Sequence, residues 1–346
     1  MAIVWFVLIL GGIVLVHEFG HFIFSKLFGV YVYEFSVGMG PKLLHFKKKN
    51  GETEYCLRAI PIGGFVSLAG EDADDNSKIA NDRKLYSKPV WQRFIIMIAG
   101  ATFNFLFAFV LLFIMALIYG SVSTKPIIAN VSPDYPAYRA GIKSGDRVVS
   151  INDHKVSSWS EVQLYIQTSD GKDIEFGLRD ENNKERNVVV KPDTVTDDDG
   201  NKSFVVGIGI DNTKKYGLGN SLSYACESTV SLYKLMLMTL KQLFTGKVAV
   251  SDLSGPVGIY TVVDSQSKQG FQSIMYLTAY LAMNVGVINL LPFPAFDGGR
   301  VLFLIIGKVR RKPIKAKTEA IVNSIGFGLL MLLMIYVTFN DILRLF

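Results

Sequence analysis

The chain has 346 residues, of which 50% are hydrophobic and only 19% are charged, and its formal net charge is +6. Soluble proteins average about 25% charged residues, and this composition excludes intrinsic disorder, a collagenous repeat and a disulfide-rich secreted scaffold. The positive charge does not indicate a nucleic-acid partner, because much of it lies between two apolar stretches, which is a membrane topology signal. These cations are Lys308, Arg310, Arg311, Lys312, Lys315 and Lys317.

Four long apolar stretches predict a polytopic α-helical membrane protein with about four transmembrane helices. A helix needs roughly 20 apolar residues to cross the hydrocarbon, whereas helices of soluble proteins average about 12. The second stretch is broken only by Asn104, and the fourth reads IGFGLLMLLMIYVTF without a charge. The first and third carry polar residues at their centres. The predicted spans are 1–30, 91–120, 270–307 and 318–342.

Charge in the short loops predicts the topology. The loop after the third span holds six Lys or Arg and no acid, whereas the C-terminal tail holds only Arg344. This asymmetry places the loop inside and the C-terminus outside. The loop 31–90, with its run of three lysines, then also lies inside, and residues 121–216 lie outside. No Lys or Arg precedes the first stretch, unlike a signal peptide, so we expect a retained span and an outside N-terminus.

The outside region reads as a compact β-rich module. Residues 127–131 and 147–151 predict strands, 159–168 an amphipathic helix, and 174–178 with 186–190 a hairpin. The motifs Ala140-Gly141-Ile142, Gly145-Asp146 and Ile151-Asn152 make this module similar to a PDZ domain. PDZ domains bind extended peptides by adding a strand to a sheet edge, so the resemblance implies that peptide ends bind here. The alternative is a domain that only supports or shields the membrane part.

Residues 221–244 follow this module and mix apolar residues with Glu227, Lys234 and Lys241. This pattern predicts an amphipathic helix within 217–250 that lies on the outer membrane surface. The alternative is a fifth span, which would disagree with the topology derived from the loops.

The first span contains the sequence His17-Glu18-Phe19-Gly20-His21. Positions four apart share a helix face, so both histidines can bind one Zn²⁺, with Glu18 beside the metal-bound water. Polar groups inside a span are costly and by default indicate a functional site. The alternative is a hydrogen-bonded polar cluster that joins helices.

A catalytic zinc usually has three protein ligands, and the third is not supplied locally. His45 in the inside loop and His154 on the outer side of the membrane are poor candidates. Asp297 lies in NLLPFPAFDGG, where Pro292 and Pro294 break the third span. Non-helical backbone at membrane depth is tolerated only around protein or a watery cavity, and a carboxylate there makes sense as a metal ligand. The alternative is a capping role at the helix 300–306.

Together, HEFGH, the PDZ-like module and NLLPFPAFDGG resemble the site-2 protease family of intramembrane zinc metalloproteases. The bacterial branch with a single PDZ domain, the regulator of sigma-E protease type, is most similar. The segments 100–105 (GATFNF) and 254–259 (SGPVGI) also match, although Ala101 stands where the family commonly has proline. The resemblance covers essentially the whole chain.

The resemblance implies particular roles. His17, His21 and Asp297 would bind one Zn²⁺ per chain, and Glu18 would be the catalytic base and proton shuttle. Asn284 and Asn289 would hold the substrate backbone. The inside loop, including 54–68, resembles a membrane-associated β-hairpin on the cytoplasmic side, which can pair with an unwound substrate.

The resemblance also implies a setting. It is the bacterial cell (inner) membrane, with both termini and the PDZ domain extracytoplasmic and the active site near the cytoplasmic side. The partners are the lipid bilayer and single-span membrane protein substrates, such as anti-sigma factors and remnant signal peptides, that have already received a first extracytoplasmic cut. The alternative function is a non-proteolytic membrane PDZ scaffold or chaperone.

Overall fold

The computed structural model describes residues 1–49, 51–71, 78–196, 202–246, 253–312, 314 and 316–344, and these residues fall into two compact units. The first unit comprises Met1–Leu111 with Val250–Phe346, and the second comprises Leu112–Ala249. The helices are α1 (Ala2–Leu27), α2 (Val90–Tyr119), α3 (Pro136–Arg139), α4 (Trp159–Gln167), α5 (Leu218–Phe244), α6 (Pro256–Lys268), α7 (Phe271–Asn289), α8 (Asp297–Val309) and α9 (Ala316–Leu343).

The strands lie in two regions of the chain. Two long strands, β1 (Val32–Lys47) and β2 (Glu54–Leu68), belong to the first unit. The second unit contains β3 (Asn130–Val131), β4 (Arg147–Ile151), β5 (His154–Lys155), β6 (Ile174–Arg179), β7 (Glu185–Val190), β8 (Asp193–Thr196), β9 (Lys202–Val205) and β10 (Ile208–Gly209).

Among the described residues, four helices are long and apolar enough to cross a membrane, in agreement with the four predicted spans. They are Ala2–Leu27, Val90–Tyr119, Phe271–Asn289 and Lys317–Leu343. The third predicted span is divided, because α7 ends at Asn289 and α8 begins only at Asp297. Pro292 and Pro294 lack the N–H that would continue the helix, and Ala295 has a φ of +78°, which no helix contains.

The buried face of α1 includes a residue of the predicted metal site. Ile9, Ile13, His17 and Gly20 are buried and recur every three or four residues, so they form one stripe on the helix. His17 therefore lies on the face of α1 that contacts protein.

The hairpin predicted in the inside loop is present, but it is larger than expected. Residues 54–68 form one strand, and β1 is its antiparallel partner. Phe35 in β1 pairs with both Val66 and Tyr55, and Tyr55 pairs in turn with Phe46. The two strands therefore bend into four adjacent segments, in the order 44–47, 54–57, 34–37 and 64–67.

The second unit is built on a sheet with the strand order β5-β4-β6-β7. Ile151, Phe176 and Leu178 are fully buried in its core, together with Val162 from α4. The elements predicted at 147–151, 159–168, 174–178 and 186–190 are all present within a few residues. The strand predicted at 127–131 is shorter, because only Asn130 and Val131 pair with β10.

Helix α5 confirms the helix predicted within 217–250, of which 247–250 lie outside the described residues. One side hydrogen-bonds to the rest of the second unit: Lys234 Nζ to Ser157 Oγ at 2.8 Å, and Gln242 Nε2 to Thr168 Oγ1 at 3.2 Å. Large apolar side chains are exposed along it at Leu222, Val230, Tyr233 and Leu237.

Helix α6 was not predicted from the sequence. It begins in the SGPVGI segment, with Gly255 before its first residue, and a glycine has no side chain to cap a helix. The carboxylate of Asp341 on α9 supplies this function from a distance, because Gly258 N–H donates to its Oδ2 at 2.8 Å.

Candidate metal centre and active site

Helix α1 presents the two histidines one turn apart, and between them its backbone lies very close to that of α2. A Cβ on Gly20, between them, would come within 2.5 Å of the carbonyl oxygen of Ala99. Only glycine permits this approach of the two backbones. The glycine inside HEFGH therefore allows this motif to pack directly against α2.

The break between α7 and α8 brings Asp297 to the histidines. A Cβ on Gly298 or Gly299 would overlap the carbonyl groups of Leu290 or Phe293, so the two glycines allow the chain to fold back tightly. Asp297 is the first residue of α8, but no side chain caps this helix start. Its carboxylate is directed at the histidines instead, which argues against the capping alternative.

Three potential ligand atoms converge at this point. Asp297 Oδ2 lies 3.1 Å from His17 Nε2 and 3.3 Å from His21 Nε2, and the two Nε2 atoms are 3.2 Å apart. A tetrahedral zinc with ligands at about 2.0–2.1 Å separates them by about 3.3–3.4 Å. Asp297 Oδ2 is buried and has no hydrogen-bond partner among the described residues. The triangle therefore has the size and the unsatisfied oxygen that zinc would fit.

Backbone and side-chain groups behind the histidines fix their orientation. His21 Nδ1 lies 2.8 Å from the carbonyl oxygen of Ile96, which only an N–H can satisfy. This tautomer leaves the Nε2 lone pair free for a metal. The carbonyl belongs to α2, so this helix supports the site without contributing a ligand.

Asn104 on α2 supports His17 in the same way. The sequence alone did not indicate this role. It is fully buried, its Nδ2 lies 3.3 Å from His17 Nδ1, and its Oδ1 has no hydrogen-bond partner among the residues described. Turning the amide over, a choice that the hydrogen-bond network decides, makes Oδ1 the acceptor for Nδ1–H. The available signal was one asparagine inside an otherwise apolar span.

Glu18 lies next to His17 on α1 and faces the sheet of the first unit. A Cβ on Gly64 of β2 would lie 3.7 Å from Glu18 Cγ. The segment 64–67 pairs with 34–37 on one side and is the outermost of the four adjacent segments of this sheet. The candidate base therefore lies beside a sheet edge.

The two predicted substrate-binding asparagines differ in their surroundings. Asn284 Oδ1 is buried without a hydrogen-bond partner among the described residues, so it has unused bonding capacity. Asn289 donates its Nδ2–H to the carbonyl of Val285 in its own helix, at 3.0 Å. Among the described residues, neither asparagine hydrogen-bonds to His17, His21 or Asp297.

Glu34, Glu54 and Cys56 also bring potential ligand atoms close together. Their carboxylates are already paired, because Lys42 Nζ lies 2.8 Å from Glu34 and 2.7 Å from Glu54. Burial alone would raise the pKa of Glu34, but hydrogen bonds from Lys42 and Arg58 outweigh it and hold the pKa below its ordinary value. This group is an ion-pair network of the hairpin. His45 contacts Glu54 in it, and His154 is exposed in the second unit, so neither supplies a zinc ligand.

The chain is similar to known proteins over nearly its whole length. The model of peptidase family M50 matches residues 5–333. The regulator of sigma-W protease RasP of Bacillus subtilis (strain 168) is 32% identical over 99% of both chains. A putative zinc metalloprotease of Clostridium acetobutylicum is 36% identical over 97% of this chain and 96% of its own. Another, of Fusobacterium nucleatum subsp. nucleatum, is 37% identical over 98% of each. The chain therefore belongs to peptidase family M50, the site-2 protease family that its motifs resemble.

Proposed function

We propose that this protein is a zinc endopeptidase that cleaves single-span membrane proteins inside the membrane. The observation that carries the proposal is the convergence of His17, His21 and Asp297 on one point, with Asp297 Oδ2 buried and unsatisfied. Relatives that match nearly the full chain are also named as a zinc metalloprotease and a putative zinc metalloprotease. The three residues are the proposed ligands of one Zn²⁺ per chain.

When bound, zinc polarises the scissile carbonyl and lowers the pKa of a water molecule. Glu18 follows a ligand directly in α1 and is not needed as a ligand itself. Its carboxylate accepts a proton from the attacking water and returns it to the leaving amine, so that one water is added as the peptide bond breaks. Ile96 and Asn104 keep the imidazoles in the orientation that this chemistry requires.

A substrate helix must be unwound before cleavage, because its backbone groups are bonded within the helix. The sheet edge at 64–67 beside Glu18 supports strand addition as the way in which the unwound segment is held. The unpartnered Oδ1 of Asn284 supports a role for this residue in binding the substrate backbone. We include Asn289 in the same role, which requires that it exchange its bond to Val285.

The setting of the reaction forms part of the proposal. The charge of the loops supports a bacterial inner-membrane location with both termini and the β-rich unit extracytoplasmic, and with the active site near the cytoplasmic side. The β-rich unit would act as a PDZ domain that binds the peptide ends left by a first extracytoplasmic cut, and α5 would lie on the outer surface. The similarity to RasP, which is named a regulator of sigma-W protease, supports anti-sigma factors as substrates.

The alternative, a non-proteolytic PDZ scaffold or chaperone, does not require Glu18. A purified sample is therefore tested on a tagged single-span peptide, with Glu18→Gln, zinc-chelated native protein and Glu185→Gln as a surface control. We expect cleavage within the span by the native protein and Glu185→Gln only, with one zinc per chain retained by Glu18→Gln. Equal cleavage by Glu18→Gln and native protein would contradict the proposed mechanism.

A further inference from the structure

A cavity of about 270 Å³ lies in the first unit, where α2 begins, α8 ends and α9 begins. Five of its described lining residues are cations and one is an acid: Arg93, Arg300, Lys308, Arg311, Lys312 and Glu319. The topology places these helix ends on the cytoplasmic side. The active-site chemistry uses none of these six side chains.

The charges around this cavity are unbalanced. Arg300 already forms an ion pair with Glu71, so its charge is compensated. The other four lining cations face one carboxylate, that of Glu319. A cavity with one sign of charge attracts counter-ions strongly, because its low-dielectric walls focus the field. The cavity is therefore suited to an anion with more than one charge or with several acceptor oxygens.

Arg93 provides a separate observation. Its Nε is buried and has no hydrogen-bond partner among the described residues. A buried donor without an acceptor costs free energy, and few are left in native proteins. A guanidinium is a planar fork that matches two oxygens of a phosphate. Nε itself is closed off from the cavity, so Arg93 lines it through its other atoms. Arg93 belongs to α2, whereas Lys308, Arg311 and Lys312 lie at the end of α8 and after it, so the fold brings positive charge to this cavity from two distant parts of the chain.

The remaining lining is apolar, which favours an amphiphilic ligand over a free ion. Phe303 and Leu304 of α8 line the cavity. On the same helix Leu302, Ile305 and Val309 are exposed, as a surface in contact with acyl chains would be. Basic pockets between membrane helices on the cytoplasmic side have the chemistry that binds anionic lipid head groups.

We propose that this cavity binds the phosphate group of an anionic phospholipid from the cytoplasmic leaflet, with Arg93, Lys308, Arg311 and Lys312 as its cationic partners. The topology rule alone accounts for exposed cations in this loop, but it does not require a cavity that also has an arginine from α2 in its lining. The proposal rests on the proposed topology and is independent of the proposed proteolytic reaction.

The test uses the full-length protein in neutral detergent and measures binding of phosphatidylglycerol, with phosphatidylcholine as the uncharged comparison. The variants are Arg93→Gln and the double variant Arg311→Gln/Lys312→Gln. The controls are Arg310→Gln and the double variant Arg310→Gln/Lys317→Gln, which remove one and two positive charges from the same loop region at described positions that do not line the cavity. Thermal unfolding in lipid-free detergent checks that each variant is folded, and the exposed double variant keeps the test valid if Arg93→Gln fails to fold.

We expect native protein and both controls to retain phosphatidylglycerol in preference to phosphatidylcholine. The cavity variants should bind it about tenfold more weakly or worse, since each loses a charge-assisted hydrogen bond. An equal loss in the controls would overturn the site. Inorganic phosphate is the second arm: if it binds at the cavity and displaces the lipid completely, the ligand is a free anion and the lipid assignment is wrong.

Discussion

Gly100 on α2 is so close to His17 that a Cβ at this position would lie 2.6 Å from its Cε1 and 2.7 Å from its Nε2. The same atom would overlap Nε2 of His21. The absence of a side chain at Gly100 is thus a condition for the triangle of ligand atoms.

The first prediction follows from this contact. Gly100→Ala should displace both imidazoles and lower zinc affinity about tenfold or more, the range seen for residues that support ligands. Zinc content after dialysis against a graded chelator measures the loss. Gly12→Ala is the control, because nothing lies within 4 Å of a Cβ there. If Gly100→Ala retained zinc fully, the absence of a side chain at position 100 would not be a condition for zinc binding.

The second prediction concerns Asn104. Asn104→Leu should weaken zinc binding by about 10–100-fold, because His17 Nδ1–H would lose its acceptor. Asn104→Asp keeps an acceptor oxygen and should recover part of the affinity, which a purely steric role would not produce. Thr102→Ala is the control on the same helix, since the exposed Thr102 hydroxyl donates to the carbonyl of Ile98 in its own helix. Equal loss in the leucine and aspartate variants would contradict the orienting role.

The third prediction tests the connection between α6 and α9. Asp341→Ala should lower the free energy of unfolding by about 1–3 kcal/mol, because the partly buried N–H of Gly258 would lose its acceptor. The comparison is Asp264→Ala on α6, which removes an exposed ion pair with Lys268 and should cost less than about 1 kcal/mol. Denaturant titration in detergent measures both. The assignment fails if the two variants lose the same amount.

The fourth prediction is a pH dependence of the hairpin. The pKa of Glu34 is held below its ordinary value by Lys42 and Arg58, despite the opposing effect of burial. The unfolded chain then binds more protons than the folded one as the pH falls, so this stabilisation is complete above the unfolded pKa of about 4.3 and is lost below it. Hydrogen exchange of the backbone amides of residues 32–47 measures this effect, after correction for the influence of pH on the intrinsic exchange rate. The protection of these amides should decrease when the pH is below about 4.5. Glu34→Gln should flatten this dependence, and an unchanged profile would remove Glu34 as its cause.

The sequence was informative where the signal is local. Helical spacing placed His17 and His21 on one face of α1, and two prolines indicated the break from which Asp297 reaches them. The length of the apolar stretches predicted the four helices of the described residues that are long and apolar enough to cross a membrane. These inferences need only the period of a helix, the width of a bilayer and the ligand preferences of zinc.

The sequence did not predict contacts between residues that lie far apart in the chain. Asn104 looked like a polar interruption, because nothing nearby shows that it meets His17, and α6 was missed because its cap is Asp341. The extent of the hairpin was underestimated for a similar reason. The pairing of Phe35 with both Val66 and Tyr55 depends on a bend in the sheet that no periodicity records.

The position of Asp297 on a late helix has a consequence for biosynthesis. The proposed ligands from α1 are translated near the beginning of the chain, whereas the carboxylate arrives only after α7 has been made and the backbone has reversed around Ala295. Two histidines without Asp297 form an incomplete zinc site. With the proposed ligands, a nascent or truncated chain would lack hydrolytic capacity, and peptide bonds in the membrane would be exposed to it only once the helices of the first unit had assembled.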